Sequence, residues 1–477
     1  MNILPSPYKI SERDGVLRFG RKAVLTIGET FAMDLKLYQE LWSKFTYGLS
    51  ELVINKVSHG AGVAVLAENA SDLPKPVGTE FEYSIKSCGE RAVLEYNDGR
   101  GLVHSLSTLL QIIEPESIEN AEFKIHGCEI FDKPAMEFRG IHICVFPETK
   151  LYFLEKTVRL ASFLKFSHII LEFWGTLKLD AMKELAWPEA YTKDEIHPII
   201  EQARAMGTDI IPMFNHLGHA SASRVRFGKH VVLDQNPRLQ ELFEPDGWTW
   251  CISNPKTLSL LKNIREEQID FFGNCGYYHI GCDEAYSFCS CRVCSKKDRG
   301  KFYADYLNML SDELSEKGIR AIMWGDTLLA KEDFPSPYIG TSDETTKMHE
   351  AIDKIDKNII INDWQYNISD EEPRTSIYLK EKGFDVLLSP FFEYKNISNV
   401  TAHAKKYFGA MGTTWHKLND NFLMLPQTAQ VAWAGEDYYD QLVLLTNTAS
   451  VLRKLSDENR GYTGSGFNEV EVMYGIL

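Results

Sequence analysis

From Pro134 onward the chain repeats one pattern, a short apolar run followed by a longer amphipathic segment. Eight such runs occur in order: FRGIHICVF from Phe138, SHIILEFW from Ser167, TDIIPMFN from Thr208, YYHIGCD from Tyr277, IRAIMWGD from Ile319, NIIINDWQ from Asn358, DVLLSPF from Asp385 and GAMGTTW from Gly409. Apolar runs of strand length alternating with helix-length segments are what a parallel sheet with crossover helices requires. TKDEIHPIIEQARAMG, with Thr192 placed to cap and Gly207 to terminate, and KFYADYLNMLSDELSEKG, ending at Gly318, read as two of those helices. The pattern predicts a crossover helix after every strand. Eight units in roughly 340 residues fit a closed α/β (TIM) barrel with insertions, whose reactive side chains project from the carboxyl ends of the strands.

Ahead of the barrel the pattern differs. Short β-branched runs such as AVLTI and GVAVLA surround one stretch of helical apolar spacing, GLVHSLSTLLQIIE, which reads as a small α+β accessory domain. The expected division is therefore an accessory domain over residues 1–130 and a catalytic barrel over residues 135–477.

A formal net charge of −16 does not supply the basic field that binding nucleic-acid phosphates needs. No apolar run approaches the roughly 18 to 20 residues of a membrane span, and MNILPSPYKI lacks a basic segment followed by an apolar stretch. Nine cysteines in a chain this long are expected to be reduced, and a cytoplasmic location is the expectation.

The strand ends collect Glu172 with Trp174, His216 with His219, Asp283 with Glu284, Trp324 with Asp326, Trp364 with Tyr366, and Trp415 with His416. Aromatic faces at a barrel mouth suit the C–H faces of sugar rings, although any one of them can simply cap the barrel. Adjacent carboxylates that end an apolar strand repel each other, which raises at least one pKa toward the range a general acid needs. Glycosidases of the ordinary kind place two carboxyl groups across the scissile bond, a task for which sequence neighbours are poorly spaced. An adjacent pair suits a division of labour: Glu284 protonates the leaving oxygen while Asp283 supports a nucleophile carried by the substrate, its 2-acetamido oxygen.

His279-Ile280-Gly281-Cys282-Asp283-Glu284 resembles the His-x-Gly-Gly-Asp-Glu of glycoside hydrolase family 20, the β-N-acetylhexosaminidases, in which it lies on the fourth barrel strand. Arg139-Gly140 resembles the first-strand Arg-Gly whose arginine binds sugar hydroxyls, and Gly218-His219 the Gly-His after strand three. Trp324, Trp364 and Trp415 match positions that wall the sugar pocket, and Tyr366, ahead of Tyr394, matches the tyrosine that hydrogen-bonds the acetamido group. LPSPYKI and GLVHSLSTLLQII look like the family's accessory domain. The resemblance implies removal of terminal N-acetylhexosamine from a glycan with no required cofactor. Three places depart from the family pattern: Cys282 replaces a glycine, LEFWGTLKL replaces a His- and Asp-rich second strand, and Trp415-His416-Lys417 replaces Trp-x-Glu. Glu172, Asn419 or Asp420 are the candidates to take over from that glutamate.

Cys289, Cys291 and Cys294 follow the carboxylate pair within FCSCRVCSKK. They are either incidental thiols or part of a structural zinc site completed by Cys282, Cys275 or another ligand. Two further functions compete with hydrolysis: a silent glycan-binding barrel, and a metal-dependent amidohydrolase-like barrel using His216, His219 and the thiols.

Overall fold

The protein is described by a computed structural model covering residues 2–28, 35–69, 72–75, 80–222, 231–415, 424–438 and 440–455. The amino-terminal part is a mixed eight-stranded sheet whose longest pairing sets Lys9–Phe19 antiparallel to Glu122–Asp132. Helices Lys36–Phe45 and Gly99–Gln111 accompany it. In the second, Asp98 caps the first turn by accepting from the Gly101 N–H, and Leu102, Leu106, Leu109 and Leu110 bury one apolar stripe at helical spacing. This is the α+β accessory unit expected from the sequence.

The eight apolar runs close into one parallel barrel. Its strands are β1 (Phe138–Val145), β2 (His168–Phe173), β3 (Asp209–Met213), β4 (Tyr277–Gly281), β5 (Arg320–Trp324), β6 (Ile360–Trp364), β7 (Val386–Ser389) and β8 (Gly409–Gly412). β8 pairs with β1 from Gly409 opposite Phe138 to Gly412 opposite Ile141, which completes the ring. Alternate residues point inward, so Phe138, Ile170, Ile211, Met213, Ile322, Trp324, Ile360, Leu387 and Met411 fill the interior as packed layers.

Crossover helices include α1 (Leu151–Phe163), α2 (Lys193–Ala205), α3 (Pro255–Phe272) and α4 (Arg299–Ser315), with α5 (Arg374–Glu381), α6 (Tyr394–His403), α7 (Met424–Ala434) and α8 (Gln441–Leu455) later in the chain. Thr192 and Glu195 form the reciprocal capping box read from the sequence. The expectation of a helix after every strand fails between β5 and β6, where the described residues hold only short 3-10 turns at Asp326–Leu328 and Met348–Ala351. Pro335 and Pro337 lack the N–H a helix needs, and Asp343 draws the Thr345 and Thr346 N–H groups into a side-chain turn instead. No helix among the described residues is long and apolar enough to cross a membrane.

The accessory sheet meets the amino end of the barrel through a buried polar network. Lys165, at the end of α1, donates to Asp132 Oδ2 (2.8 Å) and to the Tyr83 hydroxyl (2.7 Å), and both partners of the ion pair are fully buried. The other oxygen of Asp132 accepts from Trp433 Nε1 (2.9 Å) and from the Tyr8 and Lys133 N–H groups. Arg139 belongs here as well. Its guanidinium donates to the carbonyls of Met136 (2.8 Å), Glu137 (2.9 Å) and Lys165 (3.1 Å) and lies 4.9 Å from the Trp433 ring centre. The reading of Arg139 as a sugar-binding residue is therefore overturned. It is the second residue of β1, so it stands at the strand's amino end, away from the carboxyl ends where the carboxylate pair lies.

Candidate active site

Three strand ends build the centre: β3 runs into Asn215-His216-Leu217-Gly218-His219, β4 into Cys282-Asp283-Glu284, and β5 into Gly325-Asp326. Two glycines let these backbones touch. A Cβ at Gly281 would stand 2.5 Å from Asn215 Cγ, and one at Gly218 would stand 2.0 Å from the Asp283 carbonyl oxygen. With that approach made, Asn215 serves both neighbours: its Oδ1 accepts the Cys282 N–H (2.8 Å) and its Nδ2 donates to Asp283 Oδ1.

His219, Cys282 and Glu284 all have left-handed backbone, with φ of 52°, 72° and 47°. That conformation costs a residue with a Cβ roughly 1–2 kcal/mol, so neighbouring contacts must hold it. Glu284 is pinned on both sides of its backbone: its N–H donates to Asp326 Oδ2 (3.0 Å), and its carbonyl accepts from Trp248 Nε1 (2.7 Å). Cys282, in place of the family's glycine, is thus a strained but fully buried residue.

The two adjacent carboxylates differ in setting. Asp283 is 4% exposed. The Glu284 side chain keeps 28% of its surface, and its two oxygens face different donors, Oε2 at 2.7 Å from His219 Nε2 and Oε1 accepting from the Tyr286 hydroxyl at 2.7 Å. His219 Nε2 also lies 3.3 Å from Asp283 Oδ2, so one imidazole bridges the pair. Burial pushes the Glu284 carboxyl up, but the hydrogen bond and charge of His219, helped by Tyr286, outweigh it and leave the group below its ordinary value. A raised pKa is found on a third carboxyl. Burial, reinforced by the charge of Asp283, lifts Asp326 to about 7.

Asp326 joins the carboxylates to the aromatic wall. It accepts from Thr341 Oγ1 (2.6 Å) and from Trp364 Nε1 (3.0 Å). Trp364 packs on Tyr366 with ring centres 5.1 Å apart, and the Tyr366 hydroxyl accepts from Trp415 Nε1. Trp415 in turn lies 5.3 Å from Trp324, which is fully buried beneath it. Four predicted residues, Trp324, Trp364, Tyr366 and Trp415, thus form one continuous wall, in which Trp364 and Trp415 rest on the interior layer that holds Trp324. Tyr394 lies elsewhere, on α6, where it interacts with Ser398, Gln427 and Asp437. His216 turns its Nδ1 to the Phe214 carbonyl (2.6 Å) and packs on Tyr278, so it does not share a ligand position with His219. Glu172 is buried at the end of β2, 2.9 Å from His142 Nε2 and 3.2 Å from Cys144 Sγ, and the His142 ring packs at a tilt against Trp415 with centres 4.5 Å apart. His416, Lys417, Asn419 and Asp420 lie outside the described residues.

The sequence model described as glycosyl hydrolase family 20, catalytic domain, matches residues 169–436, and that of the family's domain 2 matches residues 1–133. The chain belongs to glycosyl hydrolase family 20. The beta-hexosaminidase A of Caenorhabditis briggsae is 24% identical over 347 residues, covering 66% of this chain and 57% of that protein. The beta-hexosaminidase of Porphyromonas gingivalis is 19% identical over 364 residues, covering 69% and 46%. The chain thus spans about half the length of these curated relatives. Among solved structures, the family 20 exo β-N-acetylglucosaminidase of Vibrio harveyi in complex with N-acetylglucosamine aligns at a TM-score of 0.69 and 17% identity, over 95% of this chain and 77% of that one. The β-N-acetylhexosaminidase of Bacteroides fragilis aligns at 0.64 and 17%, over 99% and 94%. These structures share the fold.

Within the family 20 barrel, sequence reading missed Asn215, Trp248 and Tyr286 and left Asp326 without a role. Asn215 and Asp326 carried a signal, since each is a polar residue one or two positions past an apolar strand. Trp248 and Tyr286 carried none, because they sit in loops whose path only the fold defines.

Proposed function

We propose that this chain is an exo-acting β-N-acetylhexosaminidase that hydrolyses terminal, non-reducing β-linked N-acetylglucosamine, N-acetylgalactosamine or both, with the substrate's acetamido group as nucleophile. The observation that carries this reading is the unequal setting of the adjacent pair. Asp283 is buried and oriented by Asn215 and His219, whereas Glu284 keeps an accessible carboxyl. A buried carboxylate with one oxygen fixed is suited to hold an acetamido N–H and to balance positive charge as it develops.

In the first step the acetamido oxygen attacks C1, the bond from C1 to the leaving oxygen breaks, and that oxygen takes the Glu284 proton. The product is an oxazolinium ion whose charge faces Asp283. In the second step Glu284 removes a proton from water, the water oxygen bonds to C1, and the bond from C1 to the acetamido oxygen breaks. Two displacements at C1 retain the anomeric configuration. Tyr366, tied to Trp415 in the aromatic wall, supplies a hydroxyl for the acetamido oxygen. Trp364 and Trp415 offer faces to the sugar ring.

The test is a substrate panel. Chromogenic N-acetyl-β-glucosaminide, N-acetyl-β-galactosaminide and plain β-glucoside are offered to the purified chain, and a thiazoline mimic of the oxazolinium is titrated against turnover. Hydrolysis of at least one acetamido sugar, strong thiazoline inhibition and negligible glucoside turnover are expected. Equal rates on the plain glucoside would reject participation of the acetamido group.

A further inference from the structure

The loop after β3 and the loop after β4 meet at a group of thiols. Cys251, from the first, places its sulfur 3.8 Å from that of Cys291 and 3.7 Å from that of Cys294, both from the second. Two sulfurs bound to one tetrahedral zinc ion at about 2.3 Å stand about 3.8 Å apart. A disulfide would join only two of the three, at about 2.05 Å, and leave the third alone. Glu244 brings a carboxylate oxygen into the same group, and all four ligand atoms lie within 4.8 Å of one another.

Neighbouring groups hold the sulfurs and the carboxylate in place. The Cys294 N–H donates to Cys291 Sγ (3.3 Å), and the Ser253 hydroxyl lies 3.0 Å from Cys294 Sγ and 3.4 Å from Cys251 Sγ. Glu244 is fixed by the Cys291 N–H (2.5 Å) and the Ser290 hydroxyl (3.1 Å), the outer contacts that orient a ligand carboxylate. Cys251, Cys294 and Glu244 are buried, so water does not compete freely for an ion there. Soft sulfur donors favour zinc over magnesium or calcium.

We propose that Cys251, Cys291, Cys294 and Glu244 hold one structural zinc ion that staples the β3 loop to the β4 loop. Of the three thiols expected from the sequence, two are ligands, and the distant Cys251 supplies what the local run lacked. Cys289, which adjoins Cys294, is the competing donor for the fourth position. The staple acts on the catalytic centre through its loops. Trp248 and Trp250 flank Cys251 on one side and donate to the carbonyls of Glu284 (2.7 Å) and Asn215 (3.0 Å), while Tyr286, on the other loop, donates to Glu284 itself. The ion is a positioning element and takes no part in bond making.

Metal content decides the matter independently of hydrolysis. Protein produced with zinc available and purified without chelator should carry about one zinc per chain, and the cobalt-substituted form should show thiolate-to-cobalt charge transfer and tetrahedral bands. Cys251→Ser, Cys291→Ser and Glu244→Gln should each lose most of the metal, while Cys88→Ser, an exposed cysteine of the accessory domain, should keep it. Stripping the metal from the wild type should lower its melting temperature, a readout that stands if the variants fail to fold. Wild-type protein with well under about 0.2 zinc per chain and no tetrahedral cobalt spectrum would overturn the site. Zinc kept in Glu244→Gln but lost in Cys289→Ser would overturn Glu244 as fourth ligand.

Discussion

The two ends of the barrel both bury ionisable side chains, and they do so to opposite effect. At the amino end each charge meets a full set of partners. Asp132 accepts from Lys165, Trp433 and two backbone N–H groups, and Arg139 donates to three carbonyls. At the carboxyl end three carboxyl groups crowd around a single imidazole: Asp283 helps to lift Asp326 to about 7, and left-handed backbone falls on Glu284 itself and on His219 and Cys282 beside it. Buried charge that is fully satisfied holds domains together, whereas like charges kept together under strain are poised for chemistry. The accessory domain is thus joined to the end of the barrel where its contacts do not disturb the site.

The sharpest way to break this comparison is to neutralise Glu284. Glu284→Gln keeps the shape of the side chain and the hydrogen bond from Tyr286 but carries no transferable proton. A loss of about 10³-fold in kcat is expected for substrates with poor leaving groups, within the range of general acid catalysis. Aryl substrates with acidic leaving groups should lose less, and folding stability should be nearly unchanged. An equal loss for both substrate classes would remove Glu284 from the role of acid.

The mirror experiment is Lys165→Met. It leaves Asp132 without its cation in a fully buried place, which typically costs about 3–5 kcal/mol. The denaturation midpoint should drop accordingly while kcat of the remaining folded protein stays within about twofold. A large fall in kcat at full stability would show that the two ends are coupled.

How legible these ends were in the sequence follows from what each depends on. The barrel is a local matter, since strand-length apolar runs and capped helices are written in consecutive residues, and all eight runs became strands. Asp283 and Glu284 were legible because their motif is contiguous. Arg139 was misplaced because its role came from the resemblance of the Arg-Gly pair alone, whereas its place as the second residue of FRGIHICV puts it where the strand begins. The lower pKa of Glu284 was not legible either. It depends on His219, 65 residues away, and on Tyr286 folding back toward the carboxyl.

His219 separates the carboxylates' environments, and its removal should invert one of them. With His219→Ala, only the Tyr286 hydrogen bond still favours the charged form of Glu284, against burial and the charge of Asp283, which both favour the protonated form. The folded-state pKa of Glu284 then rises. The alkaline limb of kcat/KM, along which the protonated acid is lost, should move to higher pH, even though the absolute rate falls as Asp283 loses its bridge. A limb that stays in place or moves to lower pH would assign it to another group.

The smallest effect is expected at Cys282, where two terms nearly cancel. Its φ of 72° suits glycine, so Cys282→Gly relieves strain of about 1–2 kcal/mol. Against this, glycine gives up a buried sulfur and adds conformational freedom to the unfolded chain, together also worth about 1–2 kcal/mol. Stability should therefore change by less than about 1 kcal/mol. Asn215 still receives the residue 282 N–H and still holds Asp283, because both contacts involve atoms that glycine retains or that lie outside residue 282. Activity within about threefold of wild type is expected. A tenfold fall would mean that the thiol, by filling the space behind Asp283, sets the position of the carboxylate, and strain at this end of the barrel would then serve the chemistry directly.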